Sequence, residues 1–132
     1  MQKLNPEGVH DTPGYHHVTI VPAGRLAFLA GQCPLDVDGK LVGEGDVLAQ
    51  ADQVADNALA VLGAAGARPD QVVRSTIYVV SSDTKVLAAV WRRLNESLLG
   101  PAFTTASTLL GVASLGFAGQ LVELDLTAAL DD

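Results

Sequence analysis

Two acidic residues near the C-terminus are spaced so that they could share one face of a β-strand. In segment 120–126 the side chains of an extended chain would alternate between faces, so Glu123 and Asp125 would point the same way and the adjacent leucines the other way. A carboxylate at the rim of a cleft can activate a water molecule or hold a hydrogen-bond donor of a substrate. The alternative, from the pattern alone, is a solvated face at the edge of a sheet.

A second candidate is the hydroxyl-rich segment 103–108. It places the side chains of Thr104, Thr105, Ser107 and Thr108 close together, ahead of two leucines. These side chains could line a pocket with uncharged donors and acceptors. The alternative is a strand in which threonine is frequent because β-branched residues favour extended structure.

The histidines and the cysteine do not form a pattern typical of a metal site or a covalent site. His16 and His17 are adjacent, so on a strand they face opposite sides, and His10 matches no ligand spacing with either. The single cysteine, Cys33, has no sequence neighbour that would activate its thiol. We therefore expect no metal and no cofactor, histidines at turns or interfaces, and a buried or half-buried, unreactive Cys33.

The charge balance is acidic. Eight Lys and Arg oppose fifteen Asp and Glu, which gives a formal net charge of −7. Nucleic-acid binding needs a basic surface that neutralises phosphates, so we expect no nucleic-acid partner. The apolar runs are shorter than the roughly 20 residues of a membrane-spanning helix, and residues 1–15 lack the apolar core of a secretory leader. We therefore expect no membrane contact and a cytoplasmic location.

Apolar residues recur with helical spacing in two segments. The first spans residues 46–65, where Asp46 could cap the free N–H groups and Gly66 would end the helix. The second begins near Asp83 and Thr84 and ends before Gly100. Runs typical of strands follow β-branched or alternating patterns. These runs are 17–21, 25–30, 72–80, 103–110 and 120–129.

This order of elements, β-β-α-β-α-β-β, predicts a single α+β domain over residues 1–132. The first two strands are expected to form a hairpin, and both helices to cover one face of one sheet, because each helix has one apolar stripe to bury. The other sheet face alternates apolar with small or hydroxyl residues, so we expect a second copy of the chain to cover it. Residues 1–14 and the last few residues are expected to be loosely held.

Several stretches together resemble the RidA (YjgF, L-PSP endoribonuclease-like) superfamily in their order and spacing, over nearly the whole chain. These are Tyr15 to His17, Leu29 to Pro34, Gln50 to Asn57, Ala64 to Gly66, Val72 to Val79, Pro101 to Phe103 and Val122 to Leu124. The resemblance implies a chorismate-mutase-like protomer in a homotrimer with a central barrel and clefts between subunits. It also implies a small-molecule ligand, which deaminating members hydrolyse as a reactive imine or enamine without a cofactor.

The family's site residues map only partly onto this chain. By resemblance, Glu123 matches the glutamate that positions the attacking water, Gly31 the glycine of the cleft and Tyr15 the aromatic lid. Ser107 and Thr108 match the positions just after the arginine that pairs with the substrate carboxylate.

The arginine itself is replaced by Ala106, with Thr104 and Thr105 where proline and alanine are usual, and the asparagine of the second helix by Ala88. A charge-assisted arginine–carboxylate bond contributes roughly 1.5 to 3 kcal/mol, so its loss would weaken capture of an acidic imine by about 10- to 150-fold. Arg25, Arg74 or an arginine of a neighbouring subunit could take its place.

Three functions follow from these residues. The first is a cofactor-free, deaminase-type hydrolase of imine-like metabolites, with Glu123 as the water-positioning base and Tyr15, Gly31, Thr105, Ala106, Ser107 and Thr108 as substrate contacts. In this hypothesis the hydroxyls select a neutral or differently charged, non-standard substrate. The second is a trimer that binds a metabolite without catalysis. The third, an endoribonuclease, fits poorly with the net charge of −7.

Overall fold

The computed structural model describes residues 1–131, which form two α-helices, six β-strands and two 3₁₀ turns. The helices are α1 (Val47–Ala64) and α2 (Thr84–Glu96), and the 3₁₀ turns span Pro69–Gln71 and Gly100–Thr104. The strands are β1 (Gln2–Leu4), β2 (Val18–Ile20), β3 (Leu26–Phe28), β4 (Val72–Val80), β5 (Ala106–Val112) and β6 (Val122–Ala129). The mixed α+β class is confirmed.

The main sheet has the strand order β3-β6-β4-β5. Strands β4 and β5 are parallel and joined by α2, whereas β6 pairs antiparallel with both β4 and β3. One sheet face and both helices share one hydrophobic core, to which β4 contributes Ile77 and Val79 and β6 contributes Leu124 and Leu126, all at most 1% exposed. Both helices therefore cover the same face of the sheet, as predicted.

The helix ends also match the sequence prediction. The carboxylate of Asp46 accepts a hydrogen bond from the Ala49 amide at 3.0 Å, and that of Asp83 accepts one from the Lys85 amide at 2.9 Å. Gly66, just after the last turn of α1, has a φ of +79°, which an L-residue with a side chain rarely adopts. Local signals were sufficient here because capping depends on neighbours in the chain.

The predicted N-terminal hairpin is wrong. Strand β2 pairs with β1, with Lys3 opposite Thr19, and β3 pairs with β6, with Ala27 opposite Ala128. Strand β2, the first strand of the predicted hairpin, therefore lies in a separate two-stranded sheet, and residues 2–4, which were expected to be loose, form the other strand of that sheet. Composition marks a short run as extended, but it does not select its partner, and here residues distant in sequence provide the better ladder.

The strand expected over residues 103–110 begins later than predicted. Residues 100–104 form a 3₁₀ turn with Pro101 in its first positions, and Phe103 is fully buried in the core. Strand β5 starts only at Ala106. Proline sets the φ angle of this turn and cannot donate to a sheet ladder, so the chain enters the sheet after the turn.

The second face of the sheet has no helix on it. Glu123 and Asp125 of β6 lie on this face, opposite Tyr78 and Thr76 of β4. Exposed apolar side chains accompany them, with Phe28 of β3 76% exposed. We call this the open face. No helix within residues 1–131 combines the length and apolar character that crossing a membrane requires.

Candidate functional site

Strand β6 presents Glu123 on the open face because its side chains alternate. Val122, Leu124 and Leu126 are buried against the helices, while Glu123 is half-buried and Asp125 is exposed. Glu123 lies opposite Tyr78 in the β4–β6 ladder. The shared face of the two acids is therefore confirmed, and the more protected of them is Glu123.

The carboxylate of Glu123 is held through one of its oxygens. Oε1 accepts a hydrogen bond from the Cys33 thiol at 3.3 Å and another from the Gln120 amide nitrogen at 3.2 Å. Gln120 is itself 3% exposed, and it also donates to the Val122 carbonyl and accepts from the Phe117 amide. Oε2 has no hydrogen-bond partner among residues 1–131, so the carboxylate is oriented with one oxygen available as an acceptor.

Gly31 lies directly against Glu123. A Cβ atom added at residue 31 would be 2.5 Å from Oε2 and 2.9 Å from the carboxyl carbon, distances that side chains do not tolerate. The glycine is thus required for the carboxylate to keep its position. Residue 32 continues the contact, since Gln32 exchanges backbone hydrogen bonds with Leu124 on β6.

Cys33 is a hydrogen-bond donor to Glu123. Burial raises the pKa of its thiol to about 11, and the hydrogen bond to the Glu123 carboxylate and the charge of that carboxylate add to the increase. A thiol with this pKa is protonated at neutral pH and a poor nucleophile. Of the predicted buried or half-buried, unreactive Cys33, the half-burial is confirmed, and the raised pKa supports the prediction that the thiol is unreactive. Sequence analysis missed its contact with Glu123, which is 90 positions away.

Two amide side chains of α1 hold the segments that carry this carboxylate cluster. Gln50 is fully buried; it donates to the carbonyls of Gly43 and Gly119, both at 3.0 Å, and accepts from the Leu121 amide at 2.7 Å. Asn57 donates to the Cys33 carbonyl at 2.9 Å. These residues were not predicted as functional, although a glutamine on the apolar stripe of a helix was an available signal.

A cavity of about 590 Å³ lies between α2, the edge of β5 and the N-terminal segment. The residues that line it are Pro13, Tyr15, Thr84, Leu87, Ala88, Trp91, Ser107, Thr108 and Leu109. We call it the α2 cavity. The structure therefore brings together Tyr15, Ser107 and Thr108, three of the residues proposed to contact substrate.

Tyr15 closes one wall of the α2 cavity. Its ring meets Trp91 edge to face, with centroids 6.0 Å apart, and Trp91 in turn meets the buried Phe103 at 5.8 Å. The Tyr15 hydroxyl lies 3.4 Å from His10 Nε2, and the Thr12 hydroxyl donates to the Tyr15 carbonyl. Aromatic packing and these hydrogen bonds fix the segment that carries Tyr15.

The hydroxyl-rich segment divides between different environments. Ser107 shares a hydrogen bond with Ser75 on β4, and it lines the α2 cavity together with Thr108. Thr105 is 1% exposed and donates to the Ala102 carbonyl, whereas Thr104 accepts from Lys3 at 2.7 Å. Only Ser107 and Thr108 therefore line the cavity, because Thr104 lies in the 3₁₀ turn and Thr105 is buried.

Within one protomer the carboxylate and the α2 cavity are separate. Leu110 of β5 pairs with Tyr78 of β4, which pairs with Glu123 of β6, so β4 lies between the two sites. Two strand spacings correspond to roughly 10 Å. Gly31 and Cys33 line a different, shallow cavity of about 510 Å³, together with Asn57 and Phe117.

Comparison with known proteins identifies the family. The family model described as Endoribonuclease L-PSP matches residues 10–130, which is most of the chain. The chain belongs to this family, within the RidA/YjgF superfamily. Its α+β architecture is accordingly the chorismate-mutase-like fold of Rid proteins.

Several relatives support this assignment. A Rid-family protein of unknown function from Yersinia pestis, YyfB, is 34% identical, with a TM-score of 0.85 and 98% of each chain covered. The yeast protein YEO7 is 30% identical, with a TM-score of 0.70 over 92% of this chain and 91% of the other. Protein DfrA of Myxococcus xanthus is 35% identical over 86% of this chain and 83% of its own length.

In this RidA-family chain two site residues that the resemblance leads us to expect, an arginine and an asparagine, are replaced by Ala106 and Ala88. Ala106, at the start of β5, is half-buried, and its amide donates to Thr19 Oγ1 at 2.8 Å. Ala88 lines the α2 cavity. Arg74 lies beside Ala106 in the β4–β5 register and is exposed. No carboxylate of residues 1–131 forms a salt bridge with Arg74.

The histidine side chains form hydrogen bonds that hold the N-terminal segment. His16 Nδ1 is hydrogen-bonded to the Thr104 carbonyl, and His17 Nε2 is 2.8 Å from the His10 carbonyl. Their predicted role at turns is consistent with these contacts. Within residues 1–131, no three His, Cys, Asp or Glu side chains are arranged to hold a metal ion.

Proposed function

We propose that this RidA-family protein is a cofactor-free hydrolase of imine or enamine metabolites, with sites between the protomers of a homotrimer. The observation that carries the proposal is the orientation of Glu123. Cys33 and Gln120 hold Oε1, Gly31 leaves room for Oε2, and Oε2 is left as an acceptor for water. A preorganised carboxylate of this kind is suited to positioning and deprotonating a nucleophilic water.

The separation of the two half-sites supports a shared site. One protomer has Glu123 on its open face and the α2 cavity at the far edge of β5. A neighbouring copy packed on the open face would bury exposed apolar side chains such as Phe28 and Leu110. It would also bring the cavity of one protomer to the carboxylate of the next, as the family's trimer implies. In this proposal each protomer is a single domain that spans residues 1–132.

The chemistry needs only water. Glu123 Oε2 accepts a proton as the water oxygen bonds to the imine carbon, and the carbon–nitrogen double bond becomes a single bond. That proton passes to nitrogen, which gives a carbinolamine. The hydroxyl proton of the carbinolamine is then transferred to nitrogen by way of the same carboxylate, the carbon–nitrogen bond breaks, and ammonia leaves as the carbonyl forms. Overall, imine plus water gives carbonyl plus ammonia. General-base assistance of this type contributes about 10²- to 10⁴-fold to rate.

Ammonia release from enzymatically generated imines tests the proposal. We expect Glu123→Ala to lower the protein-dependent rate by about 10²-fold or more. Asp125→Ala is the matched control, since Asp125 lies two residues along the same face and is exposed; its rate should stay within about twofold of the native rate. Equal rates for the native protein and Glu123→Ala would rule out the hydrolase.

One observation favours a second function, a metabolite-binding trimer without catalysis. Ala106 stands where the family arginine would pair with a substrate carboxylate, and without that ion pair the cleft could bind a ligand that it does not turn over. A ligand screen by thermal shift distinguishes the two, because a bound ligand raises Tm by mass action even when no ammonia is released. RNA cleavage is disfavoured by the net charge of −7.

A further inference from the structure

The α2 cavity is uncharged. No Lys, Arg, Asp, Glu or His of residues 1–131 lines it, and its polar groups are the hydroxyls of Tyr15, Thr84, Ser107 and Thr108. Two of these hydroxyls already have protein partners, since Tyr15 contacts His10 and Ser107 contacts Ser75. Little polar capacity is left for a charged ligand group.

A carboxylate that entered this cavity would lose water without gaining a cation. Burying an ion without a partner is strongly unfavourable, whereas an uncharged amide or imine needs only one or two hydrogen bonds. In the proposed trimer the cavity would also face Glu123 of a neighbour, whose negative charge opposes a second anion. The cavity therefore discriminates against carboxylate ligands by charge.

The walls of the cavity are apolar and aromatic. Trp91 and Tyr15 present their rings at right angles, and Leu87 and Leu109 complete the apolar lining. A volume of about 590 Å³ lies in the range of pockets for organic ligands far larger than a three-carbon imino acid. Ala88 keeps the α2 side of this space open.

We infer that the α2 cavity takes an uncharged ligand with an aromatic or branched apolar group and no carboxylate beside the reacting carbon. Resting on the proposed hydrolysis, this makes the substrate an imine of the type formed from an apolar amine, instead of an imine of an amino acid. Thr84 and Thr108 supply the remaining polar contacts, and Trp91 packs on the apolar group.

Binding can be measured directly because Trp91 is the only tryptophan of the chain. Its fluorescence is titrated with phenylacetamide and with phenylacetate, which have the same shape and differ in charge. We expect the amide to bind at least about tenfold more tightly, because the carboxylate would lose its water without gaining a cation. This factor corresponds to about 1.4 kcal/mol. Equal binding, tighter binding of phenylacetate, or no binding of either would overturn the inference.

A lysine introduced into the cavity provides the matched test. Ala88 is exposed on α2, so Ala88→Lys should fold normally and bring an ammonium group to the cavity. Its phenylacetate affinity should rise several-fold while the amide affinity changes little. Ala64→Lys adds the same charge at the exposed end of α1 and should change neither affinity. The same increase in both variants would show a general charge effect and overturn the inference.

Hydrolysis is measured in an assay that is independent of the fluorescence titration. Ammonia release is compared for the imine that an amine oxidase forms from phenethylamine and the imine that an amino-acid oxidase forms from phenylalanine. We expect faster hydrolysis of the carboxylate-free imine, and a preference for the acidic imine would overturn the inference. If neither imine is hydrolysed faster than by Glu123→Ala, the proposed hydrolase fails for these substrates, and the fluorescence titration still decides what the cavity binds.

Discussion

The Glu123 carboxylate is held in one orientation by its contacts with Cys33 and Gly31. The thiol donates to Oε1 at 3.3 Å, and the absence of a side chain at residue 31 leaves space for Oε2. A cysteine beside an acid would often suggest a nucleophile and its base. Here burial raises the pKa of the thiol, and the neighbouring carboxylate raises it further by accepting the thiol proton and repelling a thiolate, so the thiol stays protonated. In the proposed hydrolase the base is therefore the carboxylate oxygen of Glu123 and not the sulfur of Cys33.

The ionisation of Cys33 should report this contact. Its folded pKa of about 11 exceeds the ordinary value of 9.0, so alkylation should be slow at pH 8 and accelerate only near pH 11. In Glu123→Gln the midpoint should fall but stay above 9.0, because burial, the largest cause, remains. The rate of iodoacetamide labelling against pH measures this, and Cys33 is the only cysteine.

The same shift makes stability depend on pH. The folded state binds the thiol proton more tightly than the unfolded state, so the contribution of Cys33 is complete below about pH 9 and is lost as the pH rises towards 11. A native labelling midpoint near pH 9 would contradict the contact between Cys33 and Glu123.

Gly31→Ala should displace the carboxylate without unfolding the protein. The added Cβ would lie 2.5 Å from Oε2, and the flexible Glu123 side chain would move away. We expect ammonia release to fall by at least about tenfold, as removal of one positioned catalytic group does, with a small change in Tm. Gly63→Ala is the control, since nothing lies within 4 Å of its added Cβ, and alanine should stabilise this helical position by about 0.5–1 kcal/mol.

At the scale of elements, helix α1 fixes the loops around the Glu123 carboxylate. Gln50 joins the Gly43 and Gly119 carbonyls and the Leu121 amide, and Asn57 holds the segment at Cys33. Gly119 and Leu121 come just before strand β6, and Cys33 contacts Glu123 on that strand. The position of Glu123 therefore depends on α1, although the two do not form a hydrogen bond with each other.

Gln50→Leu should lower stability markedly. The leucine fills a similar volume but leaves two carbonyls and one amide without their partner, and each unsatisfied buried group costs roughly 1–3 kcal/mol. We expect a loss of at least about 2 kcal/mol in the free energy of unfolding, measured by urea denaturation. Gln53→Leu, at a half-buried position of the same helix, should cost less; equal losses would refute a special role for Gln50.

At the scale of the molecule, the open face is the surface on which a second protomer would pack in the proposed trimer. A sheet covered by helices on one side alone leaves apolar groups in water, and Phe28 is 76% exposed there. Burial of such groups favours association at about 25 cal/mol for each Å² of apolar surface. In the proposed trimer a complete site would require two protomers, and activity would therefore depend on assembly.

Light scattering should give about three times the protomer mass of 13.6 kDa. Phe28→Asp should lower this mass, because a charge replaces an apolar group on the open face, and ammonia release should fall in parallel. Leu98→Asp is the control: Leu98 is 85% exposed and lies two residues after α2, outside the strands of the sheet, and both mass and activity should be unchanged. A monomeric native protein that retains full activity would exclude a site shared between protomers.

The sequence by itself determined the features that depend on neighbouring residues. Both helices, the caps at Asp46 and Asp83, and the alternation that sets Glu123 apart from Leu124 follow from local periodicity and turn chemistry. The resemblance to RidA proteins rested on the same local motifs, and the family match confirmed it. Most of the fold was accessible in this way.

Only the tertiary structure decided which distant segments meet. The partner of β2, the contact of Cys33 with Glu123 and the three bonds of Gln50 join residues that are far apart in sequence, and no local pattern encodes them. The physical reason is that strand pairing and side-chain packing are chosen by the total burial and hydrogen bonding of the whole chain. A periodic run constrains its own conformation, but it leaves its partner open.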